Sequence, residues 1–190
     1  MIRISKLNRR RTMSKLIWSI AKVEKRLNIK LKRNITTLGL DTASKTGYAI
    51  AKTDDKKLII DVGFINIDVS HIEDKYARNE FRYNAFYEAI NSLIASRFET
   101  VVVEDVFYSC NPLTLILLAR IGAIAYSICK AKGIKNIIWK SAVSARKLLG
   151  LPCNKKKNVV QKFFCKKMNI TLTNEDEIDS IILSIVGLLK

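Results

Sequence analysis

The sequence predicts an α/β domain, a sheet of mixed direction flanked by helices. Three observations point to it. Short β-type runs follow one another from Ile35 onward with only tight turns between them, which makes an antiparallel meander. Later apolar runs are separated by stretches long enough for helices. No internal repeat is present, which leaves a solenoid or propeller without support.

The N-terminus differs in texture from the rest. Residues 1–34 carry twelve Lys and Arg against the single acid Glu24. Over residues 13–33, Leu16, Ile20, Val23, Leu27 and Leu31 recur at three- and four-residue steps among basic residues, the pattern of a basic amphipathic helix. Residues 1–34 are therefore read as a basic N-terminal extension, helical or disordered, and residues 35–190 as one domain. In that domain strands are expected at 35–41, 46–52 and 58–68, separated by polar turns such as residues 53–57. Tyr76, Phe81, Tyr83, Phe86, Tyr87, Ile90 and Ile94 give residues 72–98 an apolar helical face, and a strand at 100–106 follows. Asn111 and Pro112 form an N-cap and first-turn pair for a helix that runs to about Lys132 and stops at Gly133. A strand at 136–139, helices at 141–149 and 155–169, and a last helix from Asn174 complete the order.

The formal charge of +17 attracts polyanions. It is unevenly spread: residues 140–167 hold nine Lys and Arg and no acid. Basic blocks kept apart from the carboxylates suit a protein that grips a phosphate backbone and works on it with a separate acidic site. The cysteines Cys110, Cys129, Cys153 and Cys165 form no C-x-x-C pair, and His71 has no metal-ligand spacing to them, which argues against a zinc site and suits a reducing compartment. His71 reads as a surface or loop residue. Residues 112–129 are apolar, but Arg120 in their middle would cost roughly 2.5–3.5 kcal/mol to insert in a bilayer, so no membrane partner is expected.

Asp41 ends the first strand of the meander. A carboxylate there is costly unless a cation meets it. Glu104 closes the apolar run Val101-Val102-Val103; if the two strands lie parallel and adjacent, both carboxylates reach one edge of the sheet. Side chains alternate across a strand, so of Glu104 and Asp105 only one shares a face with Asp41, and Glu104 is the choice. The last helix opens with Glu175-Asp176-Glu177-Ile178-Asp179, and Asp176 and Asp179 project from one helical face. Acids also collect in a first helical turn simply because they complement its dipole. Four convergent carboxylates at a strand-and-helix junction could hold two Mg2+ ions.

These residues resemble the RuvC Holliday junction resolvases of the ribonuclease H superfamily, above all their short phage-type relatives. The resemblance covers roughly residues 35–189. Leu38-Gly39-Leu40-Asp41 with Ser44 to Gly47 resembles the family's first motif, and Val103-Glu104-Asp105-Val106-Phe107 its second. Asn111-Pro112 with the Leu/Ala/Gly-rich run after it is similar to the dimerisation helix, and Asp176-x-x-Asp179-Ser-Ile to the terminal D-x-x-D motif. Thr42-Ala43 stands where the family often has Pro-Gly, and the basic N-terminus has no counterpart in the bacterial enzymes.

The resemblance implies a ribonuclease H-like sheet and an endonuclease that resolves four-way or other branched DNA, leaving 5′-phosphate and 3′-hydroxyl ends. It implies Asp41, Glu104, Asp176 and Asp179 as catalytic metal ligands for two Mg2+ ions, with Mn2+ as a substitute. Lys45, Phe107, Lys140, Arg146, Lys147, Lys155, Lys156 and Lys157 are the expected DNA contacts, Phe107 by stacking on an unpaired base. Leu113, Leu117, Ile121 and Ile124 are the expected homodimer face, since their helix is apolar around most of its circumference. The expected setting is the cytoplasm of a bacterial or phage-infected cell, or an organelle if the Arg-rich N-terminus is a transit peptide. Two rivals remain: a nuclease of the same superfamily acting on RNA, RNA–DNA hybrids or flaps, and a catalytically silent DNA-binding relative.

Overall fold

The computed structural model describes residues 14–43, 45–94, 98–106, 111–172 and 177–190. Its strands are β1 (Ser14–Ser19), β2 (Thr36–Asp41), β3 (Lys45–Thr53), β4 (Lys57–Asn66), β5 (Thr100–Glu104) and β6 (Asn136–Lys140). They form one sheet in the order β1-β4-β3-β2-β5-β6, antiparallel from β1 to β2 and parallel from β2 to β6. The expected meander is β2-β3-β4, and the parallel half needs the helical crossovers that the sequence places after each strand. Helices α1 (Ile20–Leu27), α4 (Ala142–Leu148), α5 (Lys157–Met168) and α6 (Glu177–Gly187) contribute to a core on one face, with Val23, Leu58, Val102, Phe164 and Ile181. Helices α2 (Lys75–Leu93) and α3 (Pro112–Ala131) cover the other face with Phe86, Ile90, Ile121 and Ile128 over Leu38, Leu40, Val101 and Val103.

The N-terminal segment departs from expectation. The continuous amphipathic helix over residues 13–33 is replaced by strand β1 followed by the short helix α1. Leu16 and Trp18 alternate with Lys15 and Ile17, so the same residues satisfy a two-residue period, and pairing with β4 covers a strand edge that would otherwise carry open hydrogen-bonding groups. From Ile20 onward the helical spacing holds, burying Ile20, Val23 and Leu27. Leu31 is fully buried and pairs with Leu189, while the Glu24 carboxylate accepts from the Leu31 backbone N–H at 2.9 Å and pairs with Arg33 at 3.2 Å. Residues 14–33 are thus an edge strand and a core helix of the sheet, not an appended arm.

α6 is the central helix, with every residue from Glu177 to Gly187 buried. Its close approach to the sheet depends on Gly39, where a side-chain carbon would stand 2.4 Å from both the Ser180 carbonyl oxygen and the Ser184 amide nitrogen. Thr37 donates its hydroxyl to the Ser184 carbonyl at 2.7 Å and ties strand to helix one step below.

Candidate active site

Alternation along two parallel strands brings Asp41 and Glu104 together. Leu38 and Leu40 point toward α2 and α3, so Thr37, Gly39 and Asp41 point toward α6. The same parity puts Val102 and Glu104 on the α6 face. β2 and β5 run in register with Leu40 opposite Val103, and one step further Asp41 and Glu104 end their strands side by side. The two carboxyls abut, close enough to share a proton. Burial, the bond to Asp41 and the charges of Asp41 and Asp179 push the Glu104 carboxyl far above its ordinary range, against a smaller opposing effect from Lys157. Asp105 is exposed and turned away; its backbone N–H joins the Lys140 carbonyl at 3.1 Å.

The third carboxylate, Asp179, comes from the first turn of α6 and is almost completely buried. Arg146 of α4 grips both its oxygens, Nε to Oδ1 at 2.9 Å and Nη2 to Oδ2 at 2.7 Å, and donates from Nη1 to the Lys155 carbonyl at 3.1 Å. Lys157, the first residue of α5, places its ammonium 2.7 Å from Asp41 Oδ2 and 3.6 Å from Asp179 Oδ2. It is the cation that the Asp41 carboxylate needs. Burial opposes the charge on Lys157, but Asp41, Asp179 and Glu104 outweigh it and raise its pKa. With Glu104 protonated, two carboxylates face two cations and the centre is neutral; losing that proton leaves it one negative charge in excess.

This arrangement sorts the expected residues. Asp41, Glu104 and Asp179 are brought together, while Asp176 and Phe107 lie outside the described residues. Arg146 and Lys157, expected as phosphate contacts, sit inside the carboxylate cluster. Nothing in the local sequence marks them, because an Arg or Lys in a basic block reads the same whether it faces water or a buried acid. Lys140 is the backbone partner of Glu104 in the β5–β6 ladder, and Lys147, Lys155 and Lys156 are exposed nearby in the chain. Lys45 lies 4.3 Å over the Phe64 ring at the start of β3. On α3, Ile121 is buried in the chain's own core because that side of the helix lies against β5; Leu117 and Ile124 are half-buried in the same core, and Leu113 is exposed.

Among the described residues, no three His, Cys, Asp or Glu side chains are placed to ligate one metal ion together. Arg146 holds both oxygens of Asp179, so the abutting carboxyls of Asp41 and Glu104 are the donors best placed for a cation, an all-oxygen pair that suits a hard ion such as Mg2+.

Proteins of known sequence and structure share this frame. The crossover junction endodeoxyribonuclease RuvC of Helicobacter acinonychis is 36% identical over 101 residues, covering 50% of this chain and 59% of the relative. The RuvC of Campylobacter jejuni is 30% identical over 104 residues, 53% of this chain and 61% of its own length. The chain therefore spans about three fifths of the curated relatives it matches. Among solved structures, Thermus thermophilus RuvC matches with a TM-score of 0.61 at 10% identity over 80% of this chain and 92% of that one. The same protein in complex with a Holliday junction substrate matches with a TM-score of 0.62 at 10% identity, over 80% of this chain and 91% of that one. At this identity the likeness is one of fold. The family model for the crossover junction endodeoxyribonuclease RuvC matches residues 37–186, from the strand that delivers Asp41 to the helix that delivers Asp179, and the chain belongs to the RuvC family.

Proposed function

We propose that this chain is a structure-specific endonuclease that cuts Holliday junctions or other branched DNA by metal-dependent phosphodiester hydrolysis, leaving 5′-phosphate and 3′-hydroxyl ends. The observation that carries the reading is the abutment of Asp41 and Glu104 at the ends of adjacent parallel strands, an all-oxygen donor pair with Asp41 buried and Glu104 half-buried, on a basic molecule. Mg2+ is the proposed ion, held by Asp41 and Glu104, with Asp176 and, through the oxygen lone pairs that Arg146 does not occupy, Asp179 as proposed additional donors for a second ion. Bound there, it would lower the pKa of a water and stabilise charge on the leaving oxygen.

The protein's own groups do the rest. Glu104 gives up its proton to become a ligand. Lys157, between Asp41 and Asp179, balances their charge and stands where a scissile phosphate would meet a cation. Arg146 fixes Asp179 and, through the Lys155 carbonyl, the segment that leads into Lys157. Lys45, Lys140, Lys147, Lys155 and Lys156 are the proposed phosphate contacts, which position a backbone without reading its bases. A homodimer through α3 would present two such centres to two strands; Leu113 and Ile116 on that helix are 63% and 46% exposed.

The test compares cleavage of a synthetic four-way junction, a linear duplex of the same sequence and an RNA–DNA hybrid, each with Mg2+ and with a chelator. Paired nicks on the junction alone, abolished by chelation, are expected. Cleavage of the hybrid in preference to the junction would move the substrate to RNA, and no cleavage of any substrate would leave a DNA-binding protein without catalysis.

A further inference from the structure

Most of the exposed charge on α5 and α1 is not used by the centre just described. Beginning at Lys157, whose ammonium touches Asp41, α5 runs away from the carboxylates with Lys162 and Lys166 exposed one turn apart. At its far end the Met168 carbonyl accepts a hydrogen bond from the Arg26 guanidinium of α1. The two helices meet beside Gly150, where a side-chain carbon would stand 3.7 Å from Lys167 Nζ and 4.0 Å from the Leu27 carbonyl oxygen. On α1, Lys22, Lys25 and Arg26 share one exposed face. No Asp or Glu occurs between Val106 and Asn174, and Glu24, the one acid of α1, is already held by Arg33 and the Leu31 N–H. Neither helix thus carries a free acid of its own to cancel this charge.

We infer that this face is a basic track for duplex DNA: one arm of the branched substrate leaves the catalytic centre along α5 and continues onto α1. The inference rests on the branched-DNA reading for its substrate but on separate residues for its evidence. The dimensions agree. Twelve residues of α5 span about 18 Å, roughly the axial length over which one strand of B-DNA presents five phosphates. α1 lies before residue 37, where the match to the family model begins, so the track extends the nucleic-acid surface with a segment outside that match. In this reading the strand β1 and the burial of Ile20, Val23 and Leu27 have a function: they hold α1 rigidly, so that its charges meet phosphates at fixed positions and not as a loose tail.

The test uses the full chain carrying Lys22→Gln, Lys25→Gln, Lys162→Gln and Lys166→Gln, four exposed positions outside the carboxylate cluster. Hydroxyl-radical footprints and salt titrations are recorded on a four-way junction with long arms, without divalent metal, and single-turnover cleavage is measured with Mg2+ at saturating protein. The expected result is loss of protection over about five phosphates on one strand of an arm, a salt slope shallower by up to about 3.6 logarithmic units, and an unchanged single-turnover rate. An unchanged footprint and slope would overturn the track and leave the exposed Val159 and Phe163 of α5 as a face for a protein partner. The two readings fail separately. Wild-type protein with no preference for a junction over linear duplex would refute the branched-DNA reading, yet a footprint shortened by the four changes on linear duplex would still uphold the track.

Discussion

Arg146 and Asp179 form a buried, two-pronged ion pair, with the guanidinium 2.9 and 2.7 Å from the two carboxylate oxygens and neither residue more than 6% exposed. Removing one partner strands the other charge in a dry interior. Arg146→Ala should therefore cost about 3–5 kcal/mol in urea denaturation, whereas the paired change Arg146→Met with Asp179→Leu should recover most of it. A single change that costs under about 1 kcal/mol would show that water reaches the pair.

Glu104 sets a pH dependence for the metal-free protein. Burial and the neighbouring carboxylates raise the pKa of its carboxyl in the folded state above the ordinary 4.5. The folded state thus binds its proton more tightly, and the stability it confers is full below the unfolded value and lost as pH rises toward the elevated folded value. Lys157 stays charged throughout, since its own shift is upward from 10.5. Denaturation of chelated protein at about pH 5 and about pH 8 should show wild type losing stability with rising pH and Glu104→Gln losing less. Equal slopes for the two proteins would refute the shared proton.

Gly39 sets the distance between β2 and α6. A methyl group there meets the backbone of Ser180 and Ser184 at 2.4 Å, so Gly39→Ala must push α6 off the strand and Asp179 away from Asp41. A loss of about 1–3 kcal/mol in urea denaturation is expected, together with a fall in cleavage rate. Wild-type stability for this variant would mean that the helix sits further from the sheet.

Much of this geometry was legible in the sequence, and the failures have physical causes. The alternation of side chains along extended runs 36–41 and 100–104, with the two strands taken as parallel neighbours, was enough to put Asp41 and Glu104 on one face and Asp105 on the other. β1 was missed because Leu16, Ile20 and Val23 fit a helical period, while the open edge of β4 that makes a strand of residues 14–19 is a tertiary fact. Arg146 and Lys157 were read as phosphate contacts, without their buried carboxylate partners. Their partners lie 33 and 116 residues away, beyond any local pattern. Ile121 was assigned to an interface because α3 is apolar nearly all round, and only the position of β5 tells which side turns inward.

The outward side of α3 carries its own prediction. Leu113 and Ile116 are exposed, so Leu113→Glu and Ile116→Glu should fold with wild-type stability as monomers. Sedimentation should show a shift from dimer to monomer if this face is the subunit contact. An unchanged dimer in both variants would move the contact elsewhere.

The most direct test of the proposed centre is a comparison of three single changes on one four-way junction with Mg2+: Asp41→Asn, Glu104→Gln and Asp105→Asn. The first two remove a ligand charge without touching the basic surface and should abolish cleavage while junction binding is kept; the third alters an exposed side chain on the other side of the strand end and should cut within about threefold of wild type. Wild-type cleavage by Asp41→Asn, or loss of cleavage by Asp105→Asn alone, would contradict the assignment of the site.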